Sequence, residues 1–174
     1  NVANGVSQMH GEVSRDRWKG FQNICEIKAI TNAQNHTYWK DAQLEKAFEQ
    51  NSRPQVTERK KEMKRALFEV VANQTGKRFD ENVLTIVWAR RFAGYKRANL
   101  LMREFERFVR IASNTKYPVQ FIWAGKPYPE DTASTQIFND IYWKTLPLKN
   151  CTILTGYELN LSALLKRGSD VWLN

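Results

Sequence analysis

An α/β domain built on a parallel sheet is what this 174-residue sequence predicts. Three observations carry that expectation. Short apolar runs rich in β-branched residues recur at Val83–Trp88, Val119–Ala124, Cys151–Leu154 and Asp170–Leu173, the pattern of strands buried on both faces. Amphipathic stretches separate them, over Lys96–Ala112, Ser134–Lys144 and Leu159–Arg167. Such β-α-β-α-β-α-β alternation joins neighbouring parallel strands by right-handed crossovers.

Taken in order, residues 1–40 are irregular, with a short helix over His10–Trp18 and a brief strand over Ile27–Thr31. This stretch reads as the end of something larger. A helix over Asp41–Gln50 carries Leu44, Ala47 and Phe48 on one face, and Asn51-Ser52-Arg53-Pro54 breaks it. A longer helix follows over Thr57–Thr75, capped by Thr57 and stopped by Gly76, with Met63, Ala66, Leu67, Val70 and Val71 on its apolar stripe. Its Arg59, Lys60, Lys61, Lys64 and Arg65 are interspersed with Glu58, Glu62 and Glu69 and read as a solvated face. In the strand–helix part, Leu101, Phe105, Phe108 and Ala112 form one inward stripe, and Ile137, Phe138, Ile141 and Tyr142 another. Gly168 stops the last helix. The chain therefore divides into 1–40, 41–80 and 81–174, the last being one part-built sheet domain.

Composition narrows the functional classes. Hydrophobic residues make up 42% and aromatics 12%, which argues against extended disorder. No apolar run is long enough to span a bilayer. Cys25 and Cys151 have neither metal-ligand spacing nor the density of a disulfide scaffold, which suits a reducing, cytoplasmic setting. No metal site is expected. His10 and His36 are the only imidazoles, and each reads equally well as a structural hydrogen-bonder.

The net charge of +9 is uneven. Residues 81–115 hold seven Lys/Arg against three Asp/Glu, a balance of +4, against +2 over 1–40, +2 over 41–80 and +1 over 116–174. The excess centres on Arg90-Arg91-Phe92-Ala93-Gly94-Tyr95-Lys96-Arg97, which follows the first strand of the sheet. Ligands bind beyond the carboxyl ends of parallel strands, and a helix start there favours anions. Forked guanidinium donors and a compact ammonium suit phosphate oxygens. A phosphate site, better two adjacent phosphates, accounts for the cluster. The competing reading is a surface cluster paired with Glu81, Glu104 or Glu106. After the second strand, Gly125-Lys126 lacks P-loop spacing, and Lys126 is either a further ligand or a turn lysine. A basic nucleic-acid-binding module is the reading from another class. No recognised binding motif supports it, and the aromatics follow core periodicity.

Several of these stretches resemble bacterial α-glucan (glycogen or maltodextrin) phosphorylases. The resemblance lies in Asn4-Gly5-Val6-Ser7 with His10-Gly11-Glu12-Val13-Ser14-Arg15, in Ile30-Thr31-Asn32, in Arg90–Arg97, in Trp123-Ala124-Gly125-Lys126, and in Tyr157–Leu161 with Gly168–Asn174. These motifs occur in the family's order and cover nearly the whole chain. Ala33 for the family's Gly, Ala93-Gly94 for Ala-Thr and Tyr157-Glu158-Leu159 for Tyr-Asp-Met are departures that mark a divergent branch.

The resemblance implies a two-domain GT-B glycosyltransferase fold, of which this chain would hold the end of the first domain and part of the Rossmann-like second. It also implies pyridoxal 5'-phosphate as cofactor, α-1,4-glucan and inorganic phosphate as substrates, and a homodimeric parent. Carried over by motif, Arg91 would bind the substrate phosphate, and Arg90 and Lys96 would contact cofactor or substrate phosphate. Tyr95 and Asn32 would hydrogen-bond glucosyl hydroxyls, Val6 would line the sugar pocket, and Tyr157 would pack near the pyridoxal ring. Arg97 reads as a solvent-facing helix residue. The family's Schiff-base lysine lies beyond the matched motifs, so the 174 residues alone are expected to be inactive. A nucleotide-sugar glycosyltransferase of the same fold, glycogen synthase-like, would place Arg and Lys on the same loop to hold a diphosphate.

Overall fold

The computed structural model describes residues 1–173 and separates into two compact units, Asn1–Lys40 and Asp41–Asn174. Asn174, the end of the last family-like motif, lies outside the described residues. Among the described residues no helix is long and apolar enough to cross a membrane.

The first unit is a small β-α-β element. Strand β1 (Ala3–Gly5) leads through α1 (Gln8–Trp18) to β2 (Ile27–Ala29), which pairs with β1 in parallel. Ser7 caps α1 by accepting from the His10 backbone N–H at 3.0 Å, and Arg15 donates to the Ile27 carbonyl at 2.9 Å, tying helix to strand. A four-residue helix, α2 (His36–Trp39), closes the unit.

The second unit opens with α3 (Ala42–Glu49), capped by the Asp41 carboxylate, and α4 (Arg53–Thr75). The break expected at Asn51–Pro54 does end α3, but Pro54 itself belongs to α4. It sits in the first turn of α4, where its missing N–H costs no intrahelical bond, so the helix begins before Thr57. Gly76, in the left-handed conformation, ends it.

Four parallel strands follow: β3 (Leu84–Ala89), β4 (Val119–Ala124), β5 (Cys151–Leu154) and β6 (Val171–Leu173). They are joined through α5 (Phe105–Ala112), α6 (Thr132–Thr145) and α7 (Leu159–Gly168). Their order in the sheet is β5-β4-β3-β6. Three strands step outward one way and the fourth returns to the other side of the first, the order of a Rossmann-like half sheet.

Two cores cover the two faces. Trp88, Phe121 and Trp123 pack with Phe92, Phe108 of α5 and Ile141 of α6 on one side. Val87, Ala89, Ile122 and Ala124 pack with Leu67 and Val71 of α4 and Leu161 and Leu165 of α7 on the other. Successive strand residues thus alternate between the two cores, as the pleat requires.

Two expectations are corrected in detail. The helix expected from Lys96 starts only at Phe105, because Gly94–Lys96 and Leu100–Met102 form two short 3-10 turns with Arg97 in the left-handed region between them (φ 54). Tyr142 is not inward but 39% exposed. Gly168 ends α7, as expected, as its last residue. Its role is space: a Cβ there would lie 2.7 Å from Leu67 Cδ2, so its absence lets α7 lie against α4.

The basic face of α4 is also not a solvated stripe. Lys64 is buried, and its Nζ donates to the Val83 carbonyl and the Asp170 carboxylate, both at 2.7 Å. Lys60 donates to the carbonyls of Arg167 and Ser169 at the end of α7. Arg59 pairs with Asp41 and Glu62, and Arg65 with Glu58 and Glu81. These cations hold chain ends and helix termini together.

Candidate functional site

In this topology the switch point falls between β3 and β6, and a crevice outside their carboxyl ends is where such sheets receive ligands. Arg90 follows the last residue of β3 directly, so the basic loop stands at that point. The start of the loop is fixed by backbone contacts to the segment after β4. The Arg90 N–H donates to the Ala124 carbonyl and the Phe92 N–H to the Lys126 carbonyl, both at 3.1 Å. Phe92, fully buried, anchors the loop from below by edge-on contacts with Trp88 and Phe138.

Gly125 makes this crossing possible. Its φ is +146, and a Cβ built on it would lie 2.0 Å from the Arg90 carbonyl oxygen. The close approach that a glycine permits after β4 is therefore taken up by the loop itself.

Above the anchor the polar groups converge. Arg91, exposed, donates from Nη2 to the Tyr95 hydroxyl at 3.1 Å, and the Lys96 ammonium lies 4.6 Å from the centre of the Tyr95 ring. The hydrogen bond from Arg91, followed by the charge of Lys96, holds the Tyr95 phenol below its ordinary pKa. Arg90 is half-buried and Arg97 exposed, the latter on its left-handed residue rather than on a helix.

Among the described residues, Arg90, Arg91, Lys96 and Arg97 form no salt bridge, and two of the three carboxylates expected as partners are engaged elsewhere. Glu81 pairs with Arg65 and Glu104 with Arg107. Asp131, the cap of α6, is held below the usual carboxylate range first by the Ser134 hydroxyl and N–H, with Arg91 contributing at longer range. The helix-start contribution to anion binding expected from the sequence is absent, since the nearest α-helix after β3 begins at Phe105.

Tyr157, half-buried, reaches the same strand end from the loop after β5. Its hydroxyl lies 3.4 Å from the Ala89 carbonyl and 3.2 Å from the Ser162 hydroxyl. Arg90, Arg91, Tyr95, Lys96 and Tyr157 are thus gathered around the end of β3.

Val6 and Asn32 belong to the first unit, where they meet each other: the Asn32 N–H donates to the Val6 carbonyl at 3.0 Å. His10 Nδ1 accepts from the Val6 N–H at 3.1 Å, so His10 serves as a structural acceptor that shapes the Val6 turn. Sequence reasoning missed Asp131, whose signal was its capping position before Ser134, and it missed the switch point, which only strand order reveals.

Fold and loop together define a class: a parallel α/β domain of Rossmann-like order with an unneutralised basic loop at its topological switch point. The chain is distantly related to glycogen and maltodextrin phosphorylases. It is 28% identical to the maltodextrin phosphorylase of Thermococcus litoralis over 215 aligned positions, which take in the whole of this chain and 26% of that protein. It is 36% identical over 98 residues to the glycogen phosphorylase of Aquifex aeolicus, covering 55% of this chain and 14% of that protein. An uncharacterized protein of Methanocaldococcus jannaschii is 48% identical over 172 residues, which is 99% of this chain and 33% of that protein. The chain therefore spans between about a quarter and a third of the relatives that match it along its length. No family model matches.

Proposed function

We propose that this chain is the part of an α-1,4-glucan phosphorylase that receives phosphate, within a GT-B fold whose second domain it begins. Residues 1–40 would close the first domain, 41–80 connect, and 81–174 build the phosphate-binding sheet. The observation that carries the reading is the set of four cations, Arg90, Arg91, Lys96 and Arg97, held at the switch point without a carboxylate partner among the described residues. Distant homology to enzymes named glycogen and maltodextrin phosphorylases supports the same reading.

In this scheme the parent transfers terminal glucosyl units of an α-1,4-glucan to inorganic phosphate, giving α-glucose 1-phosphate. Arg91 binds the attacking phosphate, and its forked donors orient two oxygens at once. Lys96 supplies a point charge beside it, and Arg90 contacts the cofactor phosphate. By lowering repulsion, the cluster would let two dianionic phosphates lie side by side. The donor set fits the phosphate of pyridoxal 5'-phosphate, which would supply the acid–base group when bound, with Tyr157 beside its ring. Tyr95 accepts from Arg91 and so keeps its own O–H to donate to a sugar hydroxyl. By motif, Asn32 would hydrogen-bond a glucosyl hydroxyl and Val6 would contact the sugar.

The test is phosphorolysis by the full-length parent, read as glucose 1-phosphate release from maltoheptaose. Wild type should depend on phosphate, and Arg91→Ala should lower turnover by about two orders of magnitude or more, as loss of a charge-stabilising donor does. Undiminished turnover in Arg91→Ala overturns the assignment of roles. Glucosyl transfer from a nucleotide sugar without dependence on phosphate would establish the glycogen synthase-like alternative instead.

A further inference from the structure

The register of the sheet continues past its last assigned pair and carries a residue into the basic loop. In the β3–β4 ladder Trp88 stands opposite Trp123 and Ala89 opposite Ala124. Beyond it, Phe92 and Pro127 form a parallel bridge. Both pairs differ by the same 35 positions, so the isolated bridge resumes the register in which the ladder ends at Ala89 and Ala124, and Arg91 stands level with Lys126. The bonds Arg90 N–H to Ala124 and Phe92 N–H to Lys126 keep the two segments side by side, while Gly125, at φ +146 with the Arg90 carbonyl where a Cβ would stand, departs from regular strand geometry between them.

Register partners in a parallel pair share a face of the sheet. Phe92 lies with Trp88 in one core, so Arg91 and Lys126 fall on the opposite face. They extend the rows Val87, Ala89 and Ile122, Ala124, on the face where Tyr157 also packs. Two like charges directly opposite one another destabilise a ladder. Both side chains are exposed, and among the described residues neither forms a salt bridge.

We infer that Arg91 and Lys126 form a two-cation clamp, and that Lys126 is a further binding residue for the phosphate received by the loop. The ladder holds the pair at cross-strand spacing, about 5 Å between Cβ atoms, a gap that one tetrahedral oxyanion bridges with separate oxygens. The fork of Arg91 fixes orientation, and the ammonium of Lys126 adds charge from the neighbouring strand. Asp131, the carboxylate on the same loop that Arg91 acts on, is committed to the α6 cap through Ser134.

This inference rests on the phosphate reading of the basic loop, and the experiment separates the two. Inorganic phosphate is titrated calorimetrically into the full 174-residue chain and into Lys126→Gln, Arg91→Gln and the surface control Lys116→Gln. The expected result is phosphate binding by wild type and Lys116→Gln and at least about tenfold weaker binding by Lys126→Gln, the scale of one charge-assisted contact. The double variant should lose less than the product of the single losses, because the two cations share one ligand. In phosphate-free buffer, Lys126→Gln should also melt higher than wild type as the repulsion across the ladder is relieved. Wild-type affinity in Lys126→Gln alongside a loss in Arg91→Gln overturns the clamp and leaves the phosphate reading standing. No phosphate uptake by wild type, with melting temperatures of all variants unchanged, overturns both.

Discussion

Replacing Lys64 by Met should cost the sheet domain about 3 kcal/mol, and the structure says where that comes from. Lys64 lies on α4 with its side chain 5% exposed, and its Nζ has two acceptors at 2.7 Å, the Val83 carbonyl and Asp170 Oδ2. The same Oδ2 accepts from the Thr85 N–H at 2.8 Å. The substitution keeps the volume but strands a carboxylate against the start of β3 with one remaining donor. Breaking a buried pair by removing one partner costs about 3–5 kcal/mol. The Asp170 side chain is still 23% exposed, so water recovers part of the loss and the lower end applies. For a chain of this size that is a fall in melting temperature of roughly 6–12 °C. The assay is urea and thermal unfolding followed by far-UV circular dichroism, with Lys61→Met on the same helix as control, expected within about 0.5 kcal/mol of wild type. Adding Asp170→Asn to Lys64→Met should recover part of the loss, since the two residues share one interaction. If Lys64→Met and Lys61→Met unfold alike, the buried role of Lys64 is refuted.

One further substitution and one labelling experiment probe other links. Gly125→Ala puts a Cβ into the Arg90 carbonyl at a φ that L residues rarely adopt; it should lower stability by at least about 2 kcal/mol in urea titrations and abolish phosphate binding with the loop displaced. Burial pushes the Cys151 thiol up to about 12, so at pH 8 it stays protonated and shielded. A thiol reagent should then modify only the half-buried Cys25 in native protein and both cysteines in urea; rapid native labelling of Cys151 would contradict its placement in β5.

Much of the sheet was legible because its signals are local. Val119–Ala124 and Cys151–Leu154 coincide residue for residue with the expected strands, each an apolar run bounded by polar or turn residues. The helix after β3 was misjudged because Leu101, Phe105, Phe108 and Ala112 keep helical spacing whether or not the turn before them is helical. The left-handed Arg97 and the 3-10 geometry leave no mark on that spacing. The basic loop was visible as a charge cluster, but the partners of the other cations were not. Glu58, Glu62 and Glu69 close by made α4 look solvated, whereas the acceptors of Lys60 and Lys64 include Arg167, Ser169 and Asp170, more than a hundred residues away. The facing of Arg91 and Lys126 left one trace in the sequence, the repeated Trp-Ala dipeptide at 88–89 and 123–124, whose meaning depends on the strands being neighbours in register.

The lysines of α4 and of the residue just beyond it also bear on how the domain opens. Lys60 and Lys64 bind the end of α7 and the approach to β6, while Lys77, one residue past Gly76, donates to the carbonyls of Thr145, Leu146, Leu148 and Cys151 between α6 and β5. One helix and its flank are therefore fastened by ammonium groups to both outer strands of the sheet. Neither edge can fray without breaking the hydrogen bonds of an ammonium group, so amide hydrogens of β5 and β6 should exchange with solvent together with those of α4, as one cooperative unit.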